Sequence, residues 1–221
     1  MSERHFDTSL KELKEKLLSM AGYVEKAIEN ATQALLESNT LKLSPVYEIE
    51  KKVNQAHINV DDGCVKLLAL QQPLAVDLRL IVAILKINTD LERMGDQAVN
   101  IAHNTERYLK GALLKVLSGF PQISTEVRFM VRTCLDAFVS SSESAAKDVL
   151  IRDDKVDDLK NKIFHDILEH LKKNPQDIEQ GLNLILIARN LERIGDHATN
   201  IAEDVIYVLT GQDIRHTPHT K

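Results

Sequence analysis

The 221-residue sequence predicts an all-α protein, built as two tandem three-helix bundles related by internal duplication. Three observations carry that expectation. The chain has only 8 Gly and 5 Pro, with 43% hydrophobic residues beside 28% charged ones, a balance that suits long amphipathic helices and excludes a turn-rich β fold. The prolines, at 45, 73, 121, 175 and 218, fall between long helical patterns rather than inside them. The chain also repeats itself.

Six helices follow in order. The first, over about 6–40, carries Leu10, Leu13, Leu17, Met20, Val24, Ile28, Ala31 and Leu35, steps of three and four that draw one apolar stripe. The second runs over about 45–71 and the third over about 74–116, each beginning at or just after a proline. The fourth is expected over 123–149, the fifth over 153–173, where Val156, Leu159, Ile163 and Ile167 form the core stripe, and the sixth over 176–210. Long helices joined by short turns predict antiparallel packing at shallow angles.

The duplication is explicit. Leu91-Glu-Arg-Met-Gly-Asp-Gln-Ala-Val-Asn-Ile-Ala102 matches Leu191-Glu-Arg-Ile-Gly-Asp-His-Ala-Thr-Asn-Ile-Ala202 at nine of twelve positions, 100 residues apart. Upstream the offset becomes 103, pairing Ala34, Val46, Lys52 and Val53 with Ala137, Val149, Lys155 and Val156. A whole three-helix unit is thus repeated. The expected division is a first repeat over 1–117, a second over 118–212 and a flexible polar tail over 213–221.

Composition removes several function classes. A net charge of −5 and 4% aromatics without Trp supply neither a basic phosphate-binding face nor a stacking surface, so no nucleic-acid partner is expected. The longest unbroken apolar run, Leu80 to Leu85, has six residues, and the N-terminus lacks the apolar core of a signal peptide. Neither export by the usual signal nor a bilayer span is expected, and the chain reads as cytoplasmic. Cys64 and Cys134 sit far apart in apolar helical patterns and read as buried thiols. The chain contains no Walker A, G-x-S-x-G or H-E-x-x-H motif, and no Glu-x-x-His of the kind that helical di-iron oxidases use.

What remains is a constellation of carboxylates. Glu92 and Asp96, like Glu192 and Asp196, stand at i, i+4 on a helix, where like charges repel and call for a counter-charge. Each pair flanks a glycine, Gly95 or Gly195, that weakens its helix by about 1 kcal/mol relative to Ala. His103 and Glu203 lie further along the same lines. Helices 2 and 5 offer partners: Asp153 and Asp157 beside the core stripe of the fifth helix, and Glu50 and Asn54 at the equivalent places in the second. Oxygen clusters without cysteine or paired histidine suit hard cations such as Mg²⁺, Mn²⁺, Ca²⁺ or ferric iron. Two readings stand at this point: metal or partner sites, and solvated faces paired with Arg93, Arg193 or nearby lysines. By carboxylate count alone the second site, with four, should bind a cation more strongly than the first, with three and an amide. Asp77 and Asp177 read as acidic residues near helix N-termini, and His216 and His219 belong to the tail.

The two Leu-Glu-Arg-x-Gly-Asp motifs, the Gln71-Gln-Pro-Leu-Ala-Val-Asp-Leu-Arg79 stretch and the opening His5-Phe6-Asp7 resemble the PhoU family over nearly the whole chain. The resemblance implies a cytoplasmic, non-enzymatic negative regulator of phosphate transport and phosphate homeostasis. Its implied partners are the ATPase of the phosphate ABC transporter and the sensor histidine kinase of the phosphate two-component system, with the starvation response held off when phosphate suffices. It also implies a homodimer and multinuclear metal clusters, with Fe, Mn, Mg, Zn or Ca as the candidate ions. By position those clusters would fall on Glu50, Asn54, Glu92 and Asp96, and on Asp153, Asp157, Glu192 and Asp196; Asn54 departs from the acidic pattern. A carboxylate-bridged metal enzyme and a purely structural helical adaptor are the alternatives.

Overall fold

A computed structural model describes residues 2–114 and 117–214, with side chains from residue 6 onward. Among the described residues there are six long helices and no strand: α1 (Ser2–Leu36), α2 (Leu43–Gln71), α3 (Ala75–Leu109), α4 (Phe120–Ser140), α5 (Glu143–Lys173) and α6 (Ile178–Thr210). The α1 stripe faces inward as its spacing requires, with Leu13, Leu17, Met20, Val24, Ile28, Ala31 and Leu35 all buried.

α1, α2 and α3 pack on one another, and so do α4, α5 and α6. The two bundles lie side by side through α3 against α6, with a smaller contact of α1 against α4, and one apolar core runs through both. α3 and α6 are antiparallel: Lys86 near the start of α3 meets Asp204 near the end of α6 at 2.9 Å, while Asp90 meets His197 at 2.8 Å. The duplication therefore becomes a pseudo-two-fold arrangement with the two repeated motifs on the central helices.

Several boundaries differ from the sequence reading. α1 stops at Leu36 rather than near 40, because Ser38 turns left-handed at φ 50° and Asn39 caps a short 3-10 turn over Thr40–Lys42, accepting from the Leu41 amide at 3.0 Å. α3 ends at Leu109; the expected extension to 116 includes Lys115 and Val116, which lie outside the described residues. The buried Tyr108 fixes the link that follows, its hydroxyl accepting from the Leu114 amide at 2.9 Å. The largest correction concerns α4 and α5. The break falls at Ser141 and Ser142, not near 150: Ser141 is left-handed at φ 53°, and the Ser142 hydroxyl accepts from the Ala145 amide at 3.2 Å as an N-cap. Residues 149–153 continue α5 without interruption. Of the tail expected over 213–221, residues from 215 on, His216 and His219 included, lie outside the described residues.

Candidate functional site

Both acidic motifs stand on the central helices, facing the outer helix of their own bundle. The glycine between the carboxylates sets the contact. A Cβ on Gly95 would lie 3.2 Å from Val53 Cγ1 of α2, and one on Gly195 would lie 3.6 Å from Val156 Cγ1 of α5. Val53 and Val156 are the equivalent valines of the 103-residue offset. Glu50 and Asn54 flank Val53 on the α2–α3 seam, just as Asp153 and Asp157 flank Val156 on the α5–α6 seam.

On the α5–α6 seam the crowding of charge is direct. Burial first, then the negative charges of Asp196, Asp157, Asp154 and Glu192, push the Asp153 carboxyl up to about 6. Burial, followed by Glu192 and Asp157, also raises Asp196, against the opposing pull of His197 and Lys160. Lys160 is one of the nearby lysines that the reading of paired, solvated faces called for, although the sequence did not single it out. Its Nζ stands 3.3 Å from Asp157 Oδ1 and 3.2 Å from Glu192 Oε1, joining α5 to α6 with an ammonium. Burial alone would lower its pKa; the hydrogen bond and charge of Glu192, with Asp157, outweigh that and raise it.

The α2–α3 seam is built differently. Glu92 is raised by burial and then by Asp96, and is eased by His57, Arg93 and His197. Exposure is the same on both seams: Glu50 and Asp153 are half-buried, while Asn54, Asp96, Asp157 and Asp196 are exposed. At the position equivalent to Lys160 stands His57, whose Nδ1 lies 3.3 Å from the Asn88 carbonyl and whose Nε2 lies 3.5 Å from Asp61. Buried Asn88 completes the clamp, donating to the His57 carbonyl at 3.0 Å and to Asp61 Oδ1 at 2.7 Å. Its counterpart in the second bundle is buried Ala188. His103 stacks with Tyr47, ring centroids 5.0 Å apart.

Between the seams, on the α3–α6 contact, His197 Nδ1 and Asn200 Nδ2 reach Asp90 Oδ1 at 2.8 and 3.2 Å. The symmetry-related places hold Asn190 and Gln97, and Gln97 Oε1 is buried without a hydrogen-bond partner. The signal for these residues was in the repeat itself: Gln97 against His197 and Asn190 against Asp90 are positions where the two copies disagree. Asp77 lies in the first turn of α3, and Asp177 Oδ2 accepts from His170 Nε2 at 2.7 Å beside the start of α6. Cys64 and Cys134 are buried free thiols, with burial pushing Cys64 up to about 12 and Cys134 higher still.

Carboxylate oxygens from two helices are the right donors for a hard cation. They are not drawn into a finished shell: among the described residues no group of three or more His, Cys, Asp or Glu converges tightly enough to hold an ion, and on the α5–α6 seam an ammonium stands between two of the donors.

Fold and site together define a class: a duplicated helical protein carrying a paired-carboxylate seam in each repeat. The PhoU domain model matches twice, over residues 17–105 and 120–205. A Pseudomonas putida protein described as a phosphate-specific transport system accessory protein PhoU homologue is 38% identical, over 96% of this chain and 84% of its own length. The crystal structure of PhoU from Pseudomonas aeruginosa superposes with a TM-score of 0.91 at 37% identity, covering 94% of this chain and all of that one. The phosphate transport system regulatory protein PhoU from Streptococcus pneumoniae gives a TM-score of 0.85 at 27% identity, over 94% of this chain and 98% of its own. The chain belongs to the PhoU family.

Proposed function

We propose that this protein is an accessory regulator of phosphate uptake and phosphate-starvation signalling. It acts without catalytic turnover, in the cytoplasm and as a homodimer, linking the ATPase of the phosphate ABC transporter to the sensor histidine kinase and keeping the response off when phosphate suffices. The observation that carries this reading is the PhoU domain occurring twice, with relatives described as phosphate-transport accessory proteins that match nearly end to end. Among the described residues no helix is long and apolar enough to cross a membrane, so membrane association is assigned to the partners.

The acidic seams are read as metal sites. Glu50, Asn54, Glu92 and Asp96 would hold one, and Asp153, Asp157, Glu192 and Asp196 the other. A hard cation would supply positive charge there, offsetting the burial and the repulsion that raise Glu92, Asp153 and Asp196. The chain's own part is to hold carboxylates from two helices on one seam, so that occupancy couples the outer helix to the central one.

Deleting the gene should raise an extracellular phosphatase reporter in phosphate-rich medium, and restoring it should silence the reporter again. A reporter that stays low after deletion, in cells without a second copy, overturns the regulatory reading.

A further inference from the structure

We infer that the groove between α1 and α4 is the face through which two copies of this chain join, with the acidic α1 wall of each copy set against the basic α4 wall of the other. The inference rests on the homodimer reading above and names the surface that would make it.

The shape comes first. α1 and α4 make a smaller contact than α3 and α6 do, and they leave between them a groove of roughly 700 Å³. Its floor is buried and apolar, from Ala21, Ile28, Val131 and Leu135. Its rim exposes Phe129 and Val139, at 42% and 59%. At Gly22 the wall is open: a Cβ there would meet nothing within 4 Å. α4 has 21 residues, so the face is about 30 Å long and, two helices wide, about 20 Å across. Two such faces amount to on the order of 1,200 Å², the low end of a stable interface.

The charges say what fits it. At the 103-residue offset that relates α1 to α4, Glu25 and Glu29 become Arg128 and Arg132. The duplication has therefore given the two walls opposite signs. Lys26 and Asp136 also line the groove, which brings it to three carboxylates against three cations. A face that is neutral in sum but divided into an acidic and a basic wall is complementary to a second copy of itself.

The register is already set inside one chain. Arg128 Nη2 meets Glu29 Oε1 at 2.9 Å, and Glu25, one turn earlier on α1, feels Arg132, one turn later on α4, so the helices are antiparallel. A two-fold axis lying along the groove keeps every residue at its own height while placing α1 of one copy over α4 of the other. Glu29 then stands level with the partner's Arg128, and Glu25 with the partner's Arg132. By the same register Leu18 stands level with the partner's exposed Val139. The two facing grooves become the core of an antiparallel four-helix bundle. Glu25 gains most from this. It is half-buried with no ion-pair partner among the described residues, and burial raises its carboxyl despite the pull of Arg132 and Arg128; a second guanidinium would offset that.

The test measures self-association of the full chain by sedimentation equilibrium. Glu25→Arg with Glu29→Arg makes both walls basic, and Arg128→Glu with Arg132→Glu makes both acidic. Each variant should dimerise at least tenfold more weakly than the parent, and an equimolar mixture of the two should recover the dimer. Gly22→Tyr leaves the internal Glu29–Arg128 pair in place and puts a ring into the groove, so it should weaken the dimer as well; circular dichroism checks that every variant is helical. Folded variants that dimerise as tightly as the parent, or a mixture that associates no better than its components, overturn the inference and leave the homodimer reading intact. A parent chain that stays monomeric overturns the homodimer reading and this inference with it, and leaves the groove to a different protein.

Discussion

The α2–α3 and α5–α6 seams start from almost the same sequence on their central helices and end with different electrostatics. Both place Glu-x-x-x-Asp around a glycine against a valine of the outer helix. The outer helices then diverge. α2 brings Glu50, Asn54 and His57 and is fastened to α3 by the polar clamp of Asn88, whereas α5 brings Asp153, Asp157 and Lys160 and is fastened to α6 by an ammonium between two carboxylates. Duplication preserves the backbone because the apolar stripe and the close valine contact fix it. Charge is free to drift at the half-exposed positions beside that contact, where single substitutions cost little packing.

The polar clamp gives the sharpest way to separate the seams. Asn88→Ala should destabilise the protein by about 2 kcal/mol, since it strips a buried donor from the His57 carbonyl and from Asp61. Ala188 stands at the same place in the second bundle, and Ala188→Ser there should change stability by well under 1 kcal/mol, provided the hydroxyl bonds the preceding helical turn. Urea unfolding of both variants checks the contrast.

The second contrast is in pH dependence. Asp153 holds its proton up to about pH 6 in the folded chain, against an ordinary value of 3.8. Between those values the native state binds more protons than the unfolded one, so stability falls as pH rises through this window and the full penalty is present above it. In metal-free protein, Asp153→Asn should flatten stability between pH 4 and 6 and add about 1–2 kcal/mol at pH 7, read from Tm across the range.

The smallest effect lies in the glycines. Gly195→Ala should stabilise by up to about 1 kcal/mol, because the new methyl meets Val156 at an ordinary 3.6 Å and the helix gains propensity. Gly95→Ala should gain less or nothing, since its methyl stands 3.2 Å from Val53 and one of the two must shift. Equal gains at both sites would mean that the two helix contacts are equally close.

The six helices and the facing of α2 with α3 and of α5 with α6 were legible because they rest on long-range periodicity and on the 103- and 100-residue offsets, which Val53 with Gly95 and Val156 with Gly195 reproduce in space. The α4–α5 break was not. It is made by Ser141 and Ser142, whose left-handed turn and hydroxyl cap leave no proline or glycine in the sequence, while the acidic run from Asp153 to Asp158 imitates a helix start. Lys160 escaped notice for a related reason: three residues beyond Asp157 it reads as an ordinary surface ion pair, and only the fold brings Glu192 to its other side.

The central claim, that one side chain on the outer helix sets the character of each seam, is tested most directly by exchanging the two. Urea unfolding of Glu92→Gln and Glu192→Gln, each made in the parent and in the exchanged chain, reports each seam separately. In the parent chain Glu192→Gln should cost more stability than Glu92→Gln, because it strips the Lys160 ammonium of its partner at 3.2 Å, whereas Glu92 is raised by burial and by Asp96; in the His57→Lys, Lys160→His double variant the order should reverse. An order that survives the exchange would contradict the claim.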